Sequence, residues 1–331
     1  MPIQTMANFQ REYLLTGRKS SPIVLIYELF YPLRSLMNFL SIFKNRCWII
    51  CLFASVITKP AFAAPLSPTF NDQRNSWNQP NIRHPKGQLT SYRFSSRLLK
   101  NKRDIWVYTP DSYQWKKGPY PLLIVFDGQA YTSQLIPGPT ILDNLIAEGK
   151  IPPLVAVFIS SIDQDTRNRE LPCYSRFINS LTQELLPWIS RRYFVTEDPS
   201  RTILAGSSYG GLAAAYAASC HPNRFGNVLS QSGAFWWNPH KDSSDPWLVK
   251  QFGILPTLAI RFYLDVGNQE TEAKKGQMSM IEVNRYLHDL LERKGYRVTY
   301  HEFSGGHDYD CWQHTFAIGL MVLIGKEPQH K

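Results

Sequence analysis

Short apolar runs alternate with longer amphipathic ones over most of the 331-residue chain. Pro121 to Phe126 (PLLIVF), Leu154 to Ser160 (LVAVFIS), Thr202 to Ala205 (TILA), Asn227 to Ser230 (NVLS) and Arg261 to Val266 (RFYLDV) read as strands, mostly continuous and apolar as buried parallel strands are. Arg103 to Thr109 (RDIWVYT) alternates like an early strand, and Val298 to Phe303 (VTYHEF) alternates as a strand nearer an edge does. Helical spacing covers Thr140 to Glu148, Arg176 to Arg191, Tyr209 to Ser219, Met278 to Arg293 and Cys311 to Ile324. Strands alternating with helices predict an α/β fold, a mostly parallel central sheet with helices on both faces. In such folds chemistry gathers beyond the carboxyl ends of the strands.

The pattern changes before residue 91. Residues 64–90 are rich in Ser, Pro, Asn and Gln and read as a loose lead-in to a domain at 91–331. Residues 37–63 have the layout of a secretory signal peptide. Lys44 and Arg46 precede an apolar run from Cys47 to Thr58, and Ala61-Phe62-Ala63 is a small-x-small cleavage site. Residues 1–36 do not fit in front of such a segment, so Met37 is the expected start and 1–36 a mistaken upstream extension. The alternative is an uncut anchor that would hold the protein on the inner membrane.

Charge and cysteines narrow the partners. Seven Lys/Arg and two Asp/Glu fall in residues 1–63, so the net charge of +10 drops to +5 from Ala64 onward. No Lys/Arg-rich run is present, so nucleic acid is not an expected partner; an anionic small molecule fits better. After cleavage Cys173, Cys220 and Cys311 remain, without metal spacing. Cys220 is expected buried as a thiol, and Cys173 with Cys311 as the pair that export could oxidise.

The stretch LAGSSYGGLAAAYAASC (Leu204 to Cys220) carries the sharpest signal. Read as G-x-S-x-G between a buried strand and an Ala-rich helix, it is a nucleophile elbow with Ser208 at its centre. Ser207 is then a small residue that fits the turn. The helix N-terminus favours developing negative charge, and the Tyr209 amide is the expected first oxyanion donor. The second should come from the loop Asp127-Gly128-Gln129, with Gly128 letting the backbone turn an N–H inward at Gly128 or Gln129. Asp127 comes too early for the usual order of Ser, acid, His and reads as a loop-structuring residue.

Of eight histidines, His307 in SGGHDYDCW follows the last strand and enters a loop, where a base belongs. The acid should follow RFYLDV. Glu270, in the loop, is preferred to Asp265, inside the strand. Two stretches line the same rim. Arg167, in RNRELP, could clamp an anion or pair with Glu170 at the surface, and both are taken as substrate-binding candidates. Trp236 and Trp237 could form an aromatic wall or a half-buried core edge.

These strings resemble one family: the enterochelin (enterobactin) esterases, within the α/β-hydrolases. The matching pieces are FDG at 126–128, SIDQDTRNRELPC at 161–173, QELLPW at 183–188, LAGSSYGG at 204–211, PNRFGNVLSQSGAFWW at 222–237 and GGHDYDCW at 305–312. The resemblance spans about 120 to 315. It implies an α/β-hydrolase fold and hydrolysis of the serine-ester bonds of a cyclic catecholate siderophore, apo or ferric. It implies Ser208 as nucleophile, His307 as base and Arg167 near the catecholate; some members work without a firm third member, which leaves Glu270 and Asp265 both open. Cytoplasmic members carry a further N-terminal domain and no export signal, so the resemblance implies the periplasmic, single-domain branch. No metal or organic cofactor is expected; any iron arrives with the substrate. The competing readings are a general exported carboxylesterase, of feruloyl or acetyl type, and a non-catalytic catecholate-binding protein.

Overall fold

The computed structural model describes residues 76–240, 243–273 and 276–325. They belong to one compact unit, Asn75–Lys331. The signal-peptide segment at 37–63 and the segment before it lie outside the described residues.

In chain order the strands are β1 (Gln88–Ser96), β2 (Asn101–Thr109), β3 (Leu122–Phe126), β4 (Val155–Ile159), β5 (Thr202–Ser207), β6 (Asn227–Gln231), β7 (Arg261–Gly267) and β8 (Arg297–Phe303). The helices are α1 (Gly128–Tyr131), α2 (Gly138–Ala147), α3 (Gln164–Glu170), α4 (Ser175–Ser180), α5 (Leu186–Ser190), α6 (Tyr209–Cys220), α7 (Trp247–Ile254), α8 (Met280–Arg293) and α9 (Tyr309–Ile324). The eight strands form one sheet in the order β1-β2-β4-β3-β5-β6-β7-β8. β1 and β2 run antiparallel at one edge; β3 to β8 are parallel. This is the mostly parallel sheet that the sequence pattern predicts, in the α/β-hydrolase arrangement that the resemblance implies.

Side chains of consecutive strand residues point to opposite faces. Leu229 meets α9 at Gly319, and Ser230 meets α6 at Gly211. Helices therefore cover both faces, and β3 to β6 are buried along their whole length. α6 is rich in Gly and Ala and lies under other elements, with ten of its residues buried. α8 is amphipathic: Ile281, Val283, Leu287 and Leu291 face inward, and Ser279 with Glu282 closes a capping box at its start.

Three expectations are corrected. The lead-in is not loose where it is described. Asn144 of α2 is buried and must be satisfied. It donates to the carbonyls of Trp77 (2.7 Å) and Gln79 (2.9 Å), while the Gly87 amide donates to Asp143 (2.8 Å). β1 then begins at Gln88, ahead of the expected boundary; its mixed, half-exposed pattern at an edge hides it in the sequence. The single helix expected over 176–191 is three pieces. A π-helical turn, Leu181–Leu185, separates α4 from α5, next to Pro187, whose missing N–H interrupts a regular ladder. Finally, none of Cys173, Cys220 and Cys311 is disulfide-bonded. Cys173 is half-buried near Cys220, and desolvation pushes its thiol up. Cys311 sits instead in the first turn of α9, against Gly305. Among the described residues no helix is long and apolar enough to cross a membrane.

Candidate active site

The parallel strands end in register. Ser207 pairs with Gln231, Gln231 with Asp265, and Gly267 with Phe303. The residues just beyond them therefore share one edge. Ser208 stands there at φ 55°, ψ −119°, a conformation that costs on the order of 1–3 kcal/mol for a residue with a side chain. It is held by its neighbours. Its amide donates to the Gln231 carbonyl (2.9 Å), and its carbonyl accepts from Leu212 (3.1 Å) and Ala234 (3.0 Å). A Cβ on Gly206 would lie 2.7 Å from the carbonyl carbon of Gly210, so only glycine lets β5 and α6 meet so sharply. Ser208 is half-buried and its side chain does not cap α6, whereas Ser207 is buried in the sheet. The Tyr209 amide opens α6, in the first turn where helix N–H groups lack intrahelical partners.

His307 follows β8. Its Nδ1 lies 2.6 Å from Glu270 Oε2, and its ring packs edge-on to Trp312 at 4.7 Å. Glu270 is nearly enclosed and both its oxygens are occupied. Oε1 accepts from the Ser232 hydroxyl (2.6 Å) and the Gly267 amide (2.8 Å). With two donors on Oε1, the carboxylate is suited to take the Nδ1–H of His307, which leaves Nε2 free as an acceptor. Asp265 does not reach this position. It is fully buried in β7 among Tyr263, Thr315 and the Ser232 amide, and neither carboxyl oxygen makes a hydrogen bond of normal geometry. Burial, opposed by Thr315 and reinforced by the charge of Glu270, pushes it up to about 8.

Beyond β3, Asp127 takes a left-handed backbone (φ 53°) and α1 starts at Gly128. The reading of Gly128 is corrected here: the unusual turn is at Asp127. Gly128 is required because a Cβ would lie 2.5 Å from the carbonyl carbon of Phe158. The amides of Gly128 and Gln129 are first-turn amides beside the elbow, and the Gln129 side chain accepts from the Ser161 amide (3.0 Å). Asp127 is the loop-structuring residue expected of it. It accepts the Ser161 hydroxyl (2.7 Å) and the forked guanidinium of Arg167 (2.8 to 2.9 Å). Burial works against the Arg167 charge, but Asp127 outweighs it and raises Arg167. The guanidinium carbon lies 5.7 Å from the Tyr209 ring centroid, so Arg167 flanks the elbow.

Glu170 is a correction. It does not line the rim or pair with Arg167. It is the last residue of α3 and is buried, and Arg103 (2.5 Å) and Asn101 (2.8 Å) donate to its carboxylate. A buried charge requires such partners, and β2 supplies them. The tryptophans separate. Trp236 packs on Tyr209 at 5.9 Å, whereas Trp237 turns to Trp247 of α7 at 6.2 Å. Only Trp236 adjoins the elbow. Sequence reasoning gave no role to Ser232 and Trp312, although both stand in the quoted strings; a serine directly after a strand and before a glycine was the available signal. Among the described residues no three His, Cys, Asp or Glu side chains gather as a metal site.

The sheet order is that of an α/β-hydrolase, with a strained serine directly after β5 and a His–Glu pair at the same edge. A family model described as "Putative esterase" matches residues 95–322, and the chain belongs to this Esterase family. It is 33% identical over 311 residues to an iron(III) enterobactin esterase of Dickeya dadantii (strain 3937), covering 86% of this chain and 69% of the relative. A crystal structure of the enterobactin esterase FES from Shigella flexneri in the presence of enterobactin superposes with a TM-score of 0.67 at 31% identity, covering 78% of this chain and 62% of that one. A ferulic acid esterase of Anaeromyces mucronatus, 16% identical with a TM-score of 0.62 over 75% of this chain and 94% of its own, shares the fold. The chain thus spans roughly six to seven tenths of the length of these enterobactin esterases.

Proposed function

We propose that this protein hydrolyses the serine-ester bonds of a cyclic catecholate siderophore such as enterobactin, apo or ferric. Ser208 attacks an ester carbonyl while His307 Nε2 takes its proton. Glu270 holds the Nδ1–H tautomer and stabilises the imidazolium. The Tyr209 amide and an amide of Gly128 or Gln129 receive the oxyanion. His307 returns the proton to the leaving seryl oxygen, and water then releases the acyl group from Ser208 by the same steps.

The observation that carries the reading is the His307–Glu270 bond at the edge where Ser208 is strained. The substrate class is supported by the enterobactin esterases among the relatives and by the rim, where Arg167 offers a cation and Tyr209 with Trp236 an aromatic face. Iron, where present, is cargo of the substrate. The layout of residues 37–63 supports export to the periplasm, checked by fractionation and N-terminal sequencing.

The test is incubation of the protein from Ala64 to Lys331 with apo and ferric enterobactin, followed by chromatography and mass analysis, beside Ser208→Ala. Linear or shorter serine catecholates from the wild type alone support the reading; loss in the variant should be on the order of 10⁴-fold or more. Unchanged cyclic ligand with aryl esters still cleaved would leave a general exported carboxylesterase. Binding without turnover in the wild type would leave a catecholate-binding protein.

A further inference from the structure

Ser232 has no part in the sequence reading, yet it sits at the centre of the buried network behind His307. It directly follows β6 at φ 46°, in the left-handed region that favours glycine. Here a residue with a side chain is retained. The surrounding backbone fixes it firmly. The Ser232 amide donates to the Asp265 carbonyl (2.8 Å), the Ala234 amide donates to the Ser208 carbonyl (3.0 Å), and Asn284 donates to the Gly233 carbonyl (2.9 Å).

The direction of its hydroxyl is forced. The Trp312 indole N–H, 3.0 Å away, can only donate. Ser232 Oγ therefore accepts from Trp312, and its single proton goes to Glu270 Oε1 at 2.6 Å. A chain of donors runs from Trp312 through Ser232 to Glu270, whose other oxygen faces His307. The same Trp312 ring packs on His307, so one indole steadies the imidazole and feeds the hydroxyl that orients its partner. No solvent reaches Ser232, so water cannot replace that donor.

We propose that Ser232 is a positioning residue. Its hydroxyl, oriented by Trp312, holds the Glu270 carboxylate in the one rotation that meets His307, and the strained backbone at Ser232 is kept to deliver it. The inference rests on the esterase reading of Ser208, His307 and Glu270.

The backbone supplies an unusual test. In Ser232→Gly the hydroxyl disappears while the left-handed φ becomes easier, so relief of the backbone offsets part of the stability lost with the two buried hydrogen bonds. The expected result is kcat lower by about ten- to a hundred-fold, the range typical when a group orienting a site residue is removed, with KM within about two-fold and a Tm lowered less than in Ser232→Ala. Ser232→Ala should lose as much kcat and more Tm, because it loses the same hydrogen bonds and keeps the strained φ. Equal losses of kcat with unequal losses of Tm are not what a merely structural serine produces. The inference is overturned if the glycine variant keeps kcat within two-fold of wild type while Ser208→Ala is inactive. If Ser208→Ala remains active, the esterase reading itself fails. Where no turnover is measurable, the low-field proton resonance of His307 Nδ1–H decides: a shift in Ser232→Gly supports the inference, and an unmoved resonance overturns it.

Discussion

At the carboxyl edge of the sheet, Asp127, Ser208 and Ser232 stand at positive φ directly after β3, β5 and β6. At the amino edge no residue other than glycine leads into those same strands at positive φ. There the chain is relaxed and internally satisfied. Asp198 caps the turn before β5, Arg261 bonds Asn227 and the Ser200 carbonyl, and Trp115 stacks on Phe194 at the surface. One sheet thus has a strained end and an unstrained one. Strain is tolerated where neighbouring elements over-determine the backbone, and it clusters where a side chain must be presented rather than packed. The difference assigns chemistry to one edge before any reaction is considered.

The comparison can be broken first at the carboxyl edge. Glu270→Gln should lower kcat by on the order of 10²- to 10⁴-fold, because a neutral amide no longer enforces the Nδ1–H tautomer; steady-state kinetics on an aryl ester would show it. Breaking the buried pair at the end of α3 should affect stability instead. Glu170→Ala leaves Arg103 charged and enclosed, at a cost of about 3–5 kcal/mol by denaturant titration. The exposed Arg93–Asp104 pair, removed by Asp104→Asn, should cost under about 1 kcal/mol. A comparable loss in both would mean that Glu170 is not the strut it looks to be. Gly206→Ala should cost about 1–3 kcal/mol and blunt activity, since its Cβ would meet the Gly210 backbone.

Asp265 gives a pH dependence with a definite sign. Its folded-state value, about 8, lies above the ordinary value of 3.8, so the folded protein binds this proton more tightly than the unfolded chain does. That contribution is fully present below the ordinary value and is lost as pH rises through about 8. Asp265→Asn should therefore gain Tm relative to wild type as pH rises from 5 to 9, with kcat within a few-fold. A Tm difference that stays flat across that range would overturn this. The smallest effect belongs to the amino edge: Trp115→Ala should cost about 1 kcal/mol or less and leave kcat unchanged.

Seven of the eight strands were legible, five because continuous apolar runs between polar stretches have few alternatives to a buried strand, and β2 and β8 because their residues alternate. The elbow was legible for a similar reason, since glycines two places either side of a serine answer a purely local clash. β1 was not, because an edge strand buries little. Nor was the break at Leu181–Leu185, where helical spacing continues through a π turn.

What the sequence alone determined was the alternation of strand and helix and the order along the chain of Ser208, an acid at or after β7, and His307. Both follow from interactions between residues near one another in sequence. Tertiary structure decided which neighbours those residues meet: Glu270 rather than Asp265 against His307, Asp127 rather than Glu170 on Arg167, and Ser232 behind Glu270. A carboxylate 37 residues from its histidine is placed by sheet register and burial. Burial favours the protonated form of Asp265, whereas Glu270 is placed by the Ser232 hydroxyl, the Gly267 amide and His307.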